Sequence, residues 1–406
     1  MKKITLLASV FLFSLCVNAQ WDTLNTQTHT DFHSIAFSNA NNGVVVGYDA
    51  TAQEGRIYHT TDGGMTWTLA HTGTSSKNDV CFSDAMHAFV AGDNGVIKKS
   101  VDAGSSWSVT YLGTKNFYSV FFPSDSVGYI GGKDGILYRT TSIGTSWDTL
   151  NSGTTNTIRD IYFSSDLAGW IVADGGYIAS TNDGGQTWTA DTTNPYYGFI
   201  QCRSIAFAGT SNKVYVTGRY GLAVSSTDNG VNWDTLVSGT ANDLNCIRFS
   251  NNLSGVIVGG NGTIKRTWVG GPNFDDESMP YVTEHLTKVC YADPATAYIC
   301  GYNGRILKSN TDISSVHEMN AALQANVFPN PFTDELHFVL QLENPSVVTM
   351  TITDLSGRIV SEENFGKMNA GENILSSENI SSLDNGTYLA IITTSSGRIS
   401  LPVIKQ

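Results

Sequence analysis

Short apolar runs separated by tight-turn signals recur along the first three quarters of the chain. In each run, apolar residues occupy both faces of an extended strand, as in Ser119-Val-Phe-Phe122. Strands that are apolar on both faces are typical of sheets that are covered on both sides. Seven such runs occur, and they begin at Ser34, Asp79, Ser119, Asp160, Ser204, Cys246 and Lys288. The pattern therefore predicts seven small sheets packed face to face.

Turn signals divide each repeat into four strands. The third repeat predicts strands at 118–122, 126–132, 135–140 and 147–150. Two-residue hairpins that favour positive φ join the second and third strands. They are Asn94-Gly95, Asp134-Gly135, Gly175-Gly176, Asn261-Gly262 and Asn303-Gly304.

A second phrase, of the form Ser/Thr-x-Asp-x-Gly-x-Thr-Trp, lies between the third and fourth strands. Its tryptophans follow one another at intervals of 40, 40, 41 and 45 residues. An Asp in such a turn accepts hydrogen bonds from its own backbone, and the Gly adopts a conformation that other residues resist. Ser142 replaces the Asp in the third copy. We assign a structural role to Asp62, Trp67, Asp102, Trp107, Trp147, Asp183, Trp188, Asp228, Trp233 and Asp312.

The two ends of the repeat region complement each other. Trp21-Asp-Thr-Leu24 repeats the ending of the third and fifth copies, whereas the last copy stops at Asp312 without a tryptophan. We therefore expect Trp21 and the residues after it to supply the outer strand of the seventh sheet, which removes two open sheet edges. A period near 40 residues made of short strands predicts a seven-bladed β-propeller over residues 20–316.

The flanking segments have other compositions. Residues 1–19 have the charged start, apolar stretch and small-residue cleavage site of an export signal. Residues 317–326 are predicted to be a linker, and residues 327–406 a small Ig-like antiparallel β-sandwich. The predicted sandwich strands are 335–341, 347–353, 357–361, 387–393 and 398–404.

Composition excludes several classes of function. The chain has 406 residues and a formal net charge of −13, which disfavours binding to nucleic acid. No long apolar segment follows the export signal, so no transmembrane segment is expected. The five cysteines after residue 19 do not form a disulfide framework, although Cys290 and Cys300 lie on neighbouring strands and could pair. No metal-ligand spacing is present, and no cofactor is expected.

The repeated phrase resembles the Asp-boxes of bacterial neuraminidase (BNR) repeats. Together with the hairpin signals, it more closely resembles the photosystem II stability/assembly factor type of BNR propeller, over about residues 21–315. The resemblance implies a seven-bladed propeller that acts in binding and assembly.

The C-terminal unit resembles the type IX secretion (Por) C-terminal sorting domain. The matching motifs are Val327–Phe332, Asp354–Arg358, Leu383–Tyr388 and Ile404–Gln406. This resemblance implies the type IX secretion machinery as a partner and export through the periplasm to the cell surface or the medium.

Candidate site residues lie on loops that enter the first strand of a blade, because loops carry most binding sites. The long connections 191–201 and 270–286 and the starts of the first strands supply them. The binding candidates are Arg159, Tyr196, Tyr197, Arg203, Tyr281, Glu284, His285 and Lys288. Asp79 and Asp160 are weaker candidates for a carboxylate pair that would hydrolyse a glycosidic bond.

The sequence thus favours a secreted, non-catalytic propeller that binds an extracellular protein or glycan through the face opposite the Asp-boxes. The alternative is an Asp-box glycoside hydrolase of the sialidase or glucanase kind, and a surface protein without a soluble ligand remains a third reading.

Overall fold

The structure is a computed structural model that separates into two compact units, residues 1–311 and 312–406. It describes residues 21–191, 200–209, 212–228, 230–251, 254–267, 274–309, 324–342, 344–354, 358–377, 380–381, 383–394 and 397–406. The predicted export signal and the first seven residues of the predicted linker lie outside the described residues. No helix in the described ranges is both long enough and apolar enough to cross a bilayer.

The first unit consists of seven four-stranded antiparallel sheets, as predicted. Strand β1 (Trp21–Leu24) precedes the first complete blade. Blade 1 contains β2 (Asp31–Phe37), β3 (Gly43–Asp49), β4 (Glu54–Thr60) and β5 (Thr68–Gly73). Blade 2 contains β6 (Lys77–Phe82), β7 (Ala88–Gly92), β8 (Val96–Ser100) and β9 (Ser108–Tyr111). Blade 3 contains β10 (Phe117–Phe121), β11 (Gly128–Gly132), β12 (Ile136–Thr140) and β13 (Asp148–Asn151).

The later blades have shorter outer strands. Blade 4 contains β14 (Ile158–Phe163), β15 (Gly169–Ala173), β16 (Tyr177–Thr181) and β17 (Thr189–Ala190). Blade 5 contains β18 (Cys202–Phe207), β19 (Val214–Gly218), β20 (Ala223–Ser226) and β21 (Asp234–Thr235). Blade 6 contains β22 (Leu244–Phe249), β23 (Gly255–Gly259), β24 (Ile264–Thr267) and β25 (Asp275–Asp276). Blade 7 contains β26 (Leu286–Tyr291), β27 (Ala297–Gly301) and β28 (Ile306–Ser309), with β1 as its outer strand.

The pairing of β1 with β28 closes the ring. Trp21 lies opposite Ser309 and Leu24 opposite Ile306. The Trp21 ring is 3% exposed, and its Nε1 donates to the Glu277 carboxylate at 2.9 Å. The Arg266 guanidinium lies 5.2 Å from the same ring and pairs with Glu277 at 2.9 Å. The closing strand is therefore held by both backbone pairing and a buried tryptophan.

The turns between second and third strands define one face of the propeller, which we call the hairpin face. In five of these hairpins both central residues have positive φ, as Asn, Asp and Gly allow. Tyr220-Gly221 also has positive φ at both residues, although no turn signal marks that pair in the sequence. Three of the hairpins include a short 3-10 segment: Lys133–Gly135, Asp174–Gly176 and Arg219–Gly221.

The Asp-box turns lie on the opposite face, which we call the box face. The carboxylate of Asp62 accepts hydrogen bonds from the Thr60 hydroxyl at 2.8 Å and from the Thr66 backbone and hydroxyl at 2.9 and 2.6 Å. Asp102 and Asp183 make the same set of bonds, and Asp228 differs only in accepting the side-chain amide of Asn232 in place of a hydroxyl. Asp312 lies outside the described residues.

These turns are self-contained. In the third turn Ser142 accepts the Ser146 backbone bond at 3.1 Å in place of a carboxylate. The box tryptophans pack edge-on against phenylalanines of the first strands, as in Phe163–Trp188 with ring centroids 6.0 Å apart. The boxes thus stabilise each blade locally.

The second unit is a two-sheet β-sandwich. One sheet contains β29 (Gln324–Phe328), β30 (Leu336–Leu342) and β33 (Gly371–Ser377). The other contains β31 (Ser346–Thr353), β32 (Ile359–Met368), β34 (Gly386–Thr394) and β35 (Gly397–Lys405). Buried side chains from both sheets, including Phe338 and Ile352, form one core.

Two features of this unit correct the sequence expectations. Strand β29 begins at Gln324, so residues 324–326 of the predicted linker belong to the sandwich. Strand β33 was not predicted, because its inward-facing positions include the polar Asn373 and Ser377 while the apolar Ile374 is exposed, so Leu375 is its buried apolar side chain.

The five cysteines that the structure describes are all unpaired. Cys290 lies opposite Tyr298 in the sheet and Cys300 lies opposite Lys288, so the two thiols are not cross-strand neighbours. Burial raises the pKa of the Cys202 and Cys300 thiols to about 12, so neither is a reactive thiolate near neutral pH.

Candidate functional site

Every first strand carries a β-bulge at the same position, next to the hairpin face. The bulge places one extra residue between two buried neighbours, and bulges commonly redirect a side chain beside a functional site. The seven bulge residues form a ring at the mouth of the central channel: His33, Asn78, Tyr118, Arg159, Arg203, Asn245 and Thr287. All seven are half-buried.

In four blades the bulge residue binds to the next blade. Asn78 and Asn245 donate to the Phe117 and Leu286 carbonyls, each at 2.8 Å. Thr287 donates to the Phe32 carbonyl at 2.8 Å, and His33 Nδ1 bonds the Lys77 carbonyl at 3.0 Å. In the described structure, the bulge residues of blades 3–5 donate to no backbone carbonyl of the next blade, although Arg203 bonds the side chain of Asp243, which immediately precedes the first strand of blade 6. Tyr118, Arg159 and Arg203 therefore form a distinct sector of the ring.

Arg159 is held by a hairpin carboxylate of its own blade. Its Nε and one terminal nitrogen donate to the two oxygens of Asp174 at 2.9 and 2.7 Å. Its guanidinium also lies 5.0 Å from the Tyr118 ring centroid. A bidentate pair of this kind fixes the orientation of the guanidinium.

Arg203 and Arg219 share one carboxylate. Arg203 donates to Asp243 at 3.1 Å, and Arg219 Nε lies 3.4 Å from the same oxygen. Burial lowers the pKa of Arg203, and the charges of Arg159 and Arg219 lower it further. The charge of Asp243 acts in the opposite direction but does not outweigh them. The Arg203 Nε is buried and has no hydrogen-bond partner among the described residues. The sector thus contains three guanidinium groups for two carboxylates.

Aromatic rings border these arginines. Tyr220 is 69% exposed, and Arg219 lies 5.3 Å from its ring. Across the mouth, Tyr302 packs near His285 with centroids 5.4 Å apart. Burial and Asp31 raise the pKa of Tyr302, whereas the charge of Arg203 opposes them.

A second ring of residues lies one position deeper in the channel. It consists of Ser34, Asp79, Ser119, Asp160, Ser204, Cys246 and Lys288. Asp79 pairs with Lys288 at 3.0 Å, and Asp160 pairs with Arg248 at 3.1 Å. Each carboxylate also accepts a backbone N–H of the next blade, Val120 for Asp79 and Ile205 for Asp160.

This arrangement argues against a role for Asp79 and Asp160 as general acid and base in catalysis. Asp79 and Asp160 are 3% and 2% exposed, and each accepts a serine hydroxyl as well. Burial alone would raise the pKa of Asp160, but the charges of Arg248 and Lys288 outweigh burial and hold that pKa below its ordinary value. A general acid for glycoside hydrolysis needs the opposite shift and access to a sugar.

The remaining candidates lie apart from Arg159, Arg203 and Arg219. Tyr196 and Tyr197 fall outside the described residues. Glu284 pairs with Arg305 at 2.5 Å, and Tyr281 is exposed and donates to the Met279 sulfur. Lys288 lies in the channel rather than at its mouth.

One predicted connection is in part a strand. Asp275–Asp276, which we expected in a loop, forms the outer strand of blade 6 opposite Lys265 and Arg266. The sequence phrase for that blade is degenerate, so its fourth strand carried no recognisable signal.

Sequence reasoning missed Arg219, Arg248, Asp174 and Asp243. Asp174 immediately follows a second strand and Asp243 immediately precedes a first strand, and these positions were a usable signal for the mouth. Arg248 carried none, because its partner Asp160 lies 88 positions away.

No group of three or more His, Cys, Asp or Glu side chains in the described ranges is arranged to hold a metal ion.

Two family models match separate parts of the chain. Residues 140–241 match the photosynthesis system II assembly factor YCF48, and residues 326–406 match the secretion system C-terminal sorting domain. A curated relative, the photosystem II assembly lipoprotein Ycf48 of Synechococcus sp. (strain CC9902), is 26% identical over 147 residues. That alignment covers 36% of this chain and 43% of the relative, so the chain spans less than half the length of the curated relative that it matches.

Solved structures share the propeller fold. The structure of YCF48 bound to D1 peptide has a TM-score of 0.61 and 19% identity, covering 72% of this chain and 97% of that chain. YCF48 from Cyanidioschyzon merolae has a TM-score of 0.58 and 19% identity, covering 72% and 98%. The WD40 propeller domain of Doa1 has a TM-score of 0.57 and 15% identity, covering 73% and 99%. These likenesses concern the fold.

Proposed function

The chain carries a BNR-type propeller with a YCF48-family segment, followed by a secretion system C-terminal sorting domain, and we propose that it is an exported, non-catalytic peptide-binding protein. Its ligand is an extended segment of another surface or extracellular protein, and a carboxylate of that segment contacts the arginine sector. Here the arginine sector means Tyr118, Arg159, Arg203, Arg219 and Tyr220.

The observation that carries the proposal is the asymmetry of the bulge ring. Four bulge side chains bond a backbone carbonyl of the next blade, whereas those of blades 3–5 are a tyrosine and two arginines, and both arginines pair with carboxylates. Three guanidinium groups share two carboxylates, on a protein whose formal net charge is −13. Guanidinium groups favour carboxylates as planar hydrogen-bond partners, and aromatic rings supply rigid contact area.

The described ends of the propeller do not lie at this mouth. Trp21 lies opposite Ser309, so both described ends of the propeller lie at the box end of blade 7. The chain therefore enters and leaves the propeller on the face opposite the arginine sector. The solved YCF48 structure with a D1 peptide supports a peptide as the class of ligand for this fold.

The test measures the binding of short labelled peptides by fluorescence anisotropy, with free and amidated C-termini and with acidic, neutral and basic sequences. We expect binding of acidic or free-carboxylate peptides that weakens about 10–100-fold in Arg203→Gln, since a hydrogen bond to a charged group contributes roughly 1.5–3 kcal/mol.

Lys115→Gln is the matched control. Lys115 pairs with Asp134 on the same hairpin face, outside the arginine sector, and its substitution removes the same unit of charge. Equal weakening by both substitutions would reduce the effect to general electrostatics and contradict a specific site. Equal binding of the acidic, neutral, basic, free and amidated peptides would contradict a carboxylate-specific site as well.

The rival function is a glycoside hydrolase, and the exposed tyrosines at the mouth are compatible with a glycan. Turnover of chromogenic sialosides or glucans that is lost in Asp79→Asn or Asp160→Asn, with the fold retained, would favour that alternative. Saturable binding to a glycan array without turnover would change the ligand class and keep the site.

A further inference from the structure

Two lysines occupy an apolar position at the seam between blades 1 and 2. In blades 1 and 3 the equivalent residues are the contacting pairs Phe32/Tyr58 and Phe117/Tyr138. The pairs in blades 4, 5, 6 and 7 are Ile158/Ala179, Cys202/Val224, Leu244/Lys265 and Leu286/Leu307. In blade 2 they are Lys77 and Lys98. Only there, among the seven described pairs, are both members cationic.

Both lysines are buried without an acidic partner. Lys77 is 1% exposed and Lys98 is 5% exposed. Within the described ranges no carboxylate lies within 4.0 Å of either amine, and the Lys98 amine makes no hydrogen bond there, although the Lys98 backbone is paired in the sheet. Lys77 donates to the Ser75 carbonyl, and the nearby Asp93 is bonded by Asn78 instead. Buried charges are ordinarily paired, because an unpaired one is costly to desolvate.

Blade 6 shows how the same position is ordinarily satisfied. Lys265, the equivalent of Lys98, is 6% exposed and pairs with Asp276 at 2.9 Å. Among the described residues, no carboxylate pairs with either lysine at the seam of blades 1 and 2. The third group there is His71, from the outer strand of blade 1, whose pKa is lowered by burial and then by the charges of Lys98 and Lys77. We call Lys77, Lys98 and His71 the lysine cluster.

The backbone leaves space beside this cluster. A Cβ on Gly73 would meet two atoms within 4 Å, His71 Nε2 at 3.6 Å and Lys77 Nζ at 4.0 Å. An oxygen atom near that point could accept hydrogen bonds from both groups after small adjustments. The corresponding point beside Gly55 is already filled, because a Cβ there would lie 1.9 Å from the Ser75 carbonyl oxygen and 2.5 Å from Lys77 Nζ.

We propose that the lysine cluster binds a small oxyanion, a carboxylate or a phosphate group, in the space beside Gly73. The anion supplies the negative charge that blade 6 obtains from Asp276. Burial, followed by the charge of Lys98, lowers the pKa of Lys77 to about 8, which leaves most of that amine protonated at neutral pH. The site is separate from the arginine sector and does not depend on the proposed peptide-binding function.

The test is the thermal unfolding of the mature chain, residues 20–406, in inorganic phosphate, acetate and chloride at equal pH and ionic strength. All eight tryptophans lie between positions 21 and 268, so tryptophan fluorescence follows the propeller. We expect phosphate or acetate to raise the Tm of the wild type by a few degrees, ~2–4 °C at saturation. The more effective anion identifies the class of ligand.

Two variants make the test specific. Gly73→Ala fills the space with a methyl group at ordinary contact distances, and Lys98→Met replaces the charge with an apolar side chain of the kind found at Leu307. Both variants should fold and lose the anion-dependent rise in Tm. Arg203→Gln should retain it, because that residue belongs to the arginine sector.

The outcomes are decisive. An equal rise in wild type, Gly73→Ala and Lys98→Met would place the anion elsewhere and overturn the proposal. The absence of any rise in the wild type with both oxyanions would overturn it too. A rise that disappears in Arg203→Gln but persists in Gly73→Ala would assign the effect to the channel mouth.

Discussion

Individual charged side chains in this propeller have roles that follow from their partners. Asp79, Asp160, Lys288 and Arg248 form two buried ion pairs in the channel. Lys77 and Lys98 are equally buried and lack acidic partners within the described residues. The first group joins blades that are two positions apart in the ring, whereas we expect the second group to destabilise its seam unless an anion is bound.

Asp160→Asn tests the structural role of the channel carboxylates. The substitution leaves Arg248 buried without its counter-charge, so we expect a loss of about 3–5 kcal/mol of unfolding free energy. Chemical denaturation followed by tryptophan fluorescence measures this loss. Peptide binding to the intact arginine sector should be unchanged, and a large loss of binding in a still folded variant would contradict the assignment.

Asp160 should also make the stability of the folded protein depend on pH. The pKa of Asp160 is lowered in the folded protein, so its contribution to stability is present above the unfolded pKa of about 3.9 and is lost as the pH falls through the lower folded value. The difference in stability between wild type and Asp160→Asn should therefore shrink on acidification. A difference that is constant between neutral pH and pH ~3 would contradict the ion pair.

Lys77→Met tests the opposite case. The folded pKa of Lys77 is about 8, below the ordinary value near 10.4, so the unfolded chain binds this proton more tightly. Stability should rise as the pH increases from about 8 toward 10, because the destabilising charge is removed. In anion-free buffer Lys77→Met should be more stable than wild type at neutral pH, and this advantage should decline at alkaline pH. Equal stability at both pH values would exclude a charged, strained Lys77.

At the level of elements, the outer strand of blade 7 comes from residues 21–24, which precede the first blade in the sequence. β1 contributes four residues of pairing to β28 and buries Trp21 against Arg266. The outer strands of blades 4–6 have only two residues each in the described structure. Closure therefore depends on side-chain burial as well as on backbone hydrogen bonds.

Trp21→Ala should remove about 3–5 kcal/mol of stability, because a fully buried tryptophan is lost and Glu277 loses a donor. Trp107→Ala is the control, since that box tryptophan is half-buried and lies within a complete blade. Differential scanning calorimetry compares the two Tm values. A smaller loss for Trp21→Ala than for Trp107→Ala would show that ring closure does not rest on β1.

For the whole molecule, we propose that the two compact units have different functions. The propeller carries the arginine sector and the lysine cluster, and the second unit matches a sorting domain over residues 326–406. We propose that the sorting domain is needed for transport across the outer membrane and is not needed for ligand binding by the propeller.

Deletion of residues 326–406 should leave a folded propeller in the periplasm of the producing cell. Cell fractionation with an antibody against the propeller measures its location, and protease resistance reports its folding. A variant that carries Lys115→Gln and keeps the sorting domain should still reach the surface or the medium. Undiminished release of the truncated chain would contradict the sorting role.

The sequence by itself determined the repeat, the number of blades, the hairpin positions and the borrowed strand at Trp21. Hydrophobic periodicity and turn chemistry act over a few residues, so the local sequence of each repeat specifies the strands and turns of its blade. It also placed Arg159 and Arg203 near one mouth, because they occupy equivalent positions in adjacent repeats.

Only the closed ring decided which charges meet. Asp160 reaches Arg248 two blades away, and Asp79 in blade 2 reaches Lys288 in blade 7 across the channel. The bulges that direct seven side chains to the mouth, and the seam that encloses Lys77 and Lys98, likewise arise from packing between blades. Such contacts depend on the distance between residues that are remote in sequence, and no local pattern records that distance.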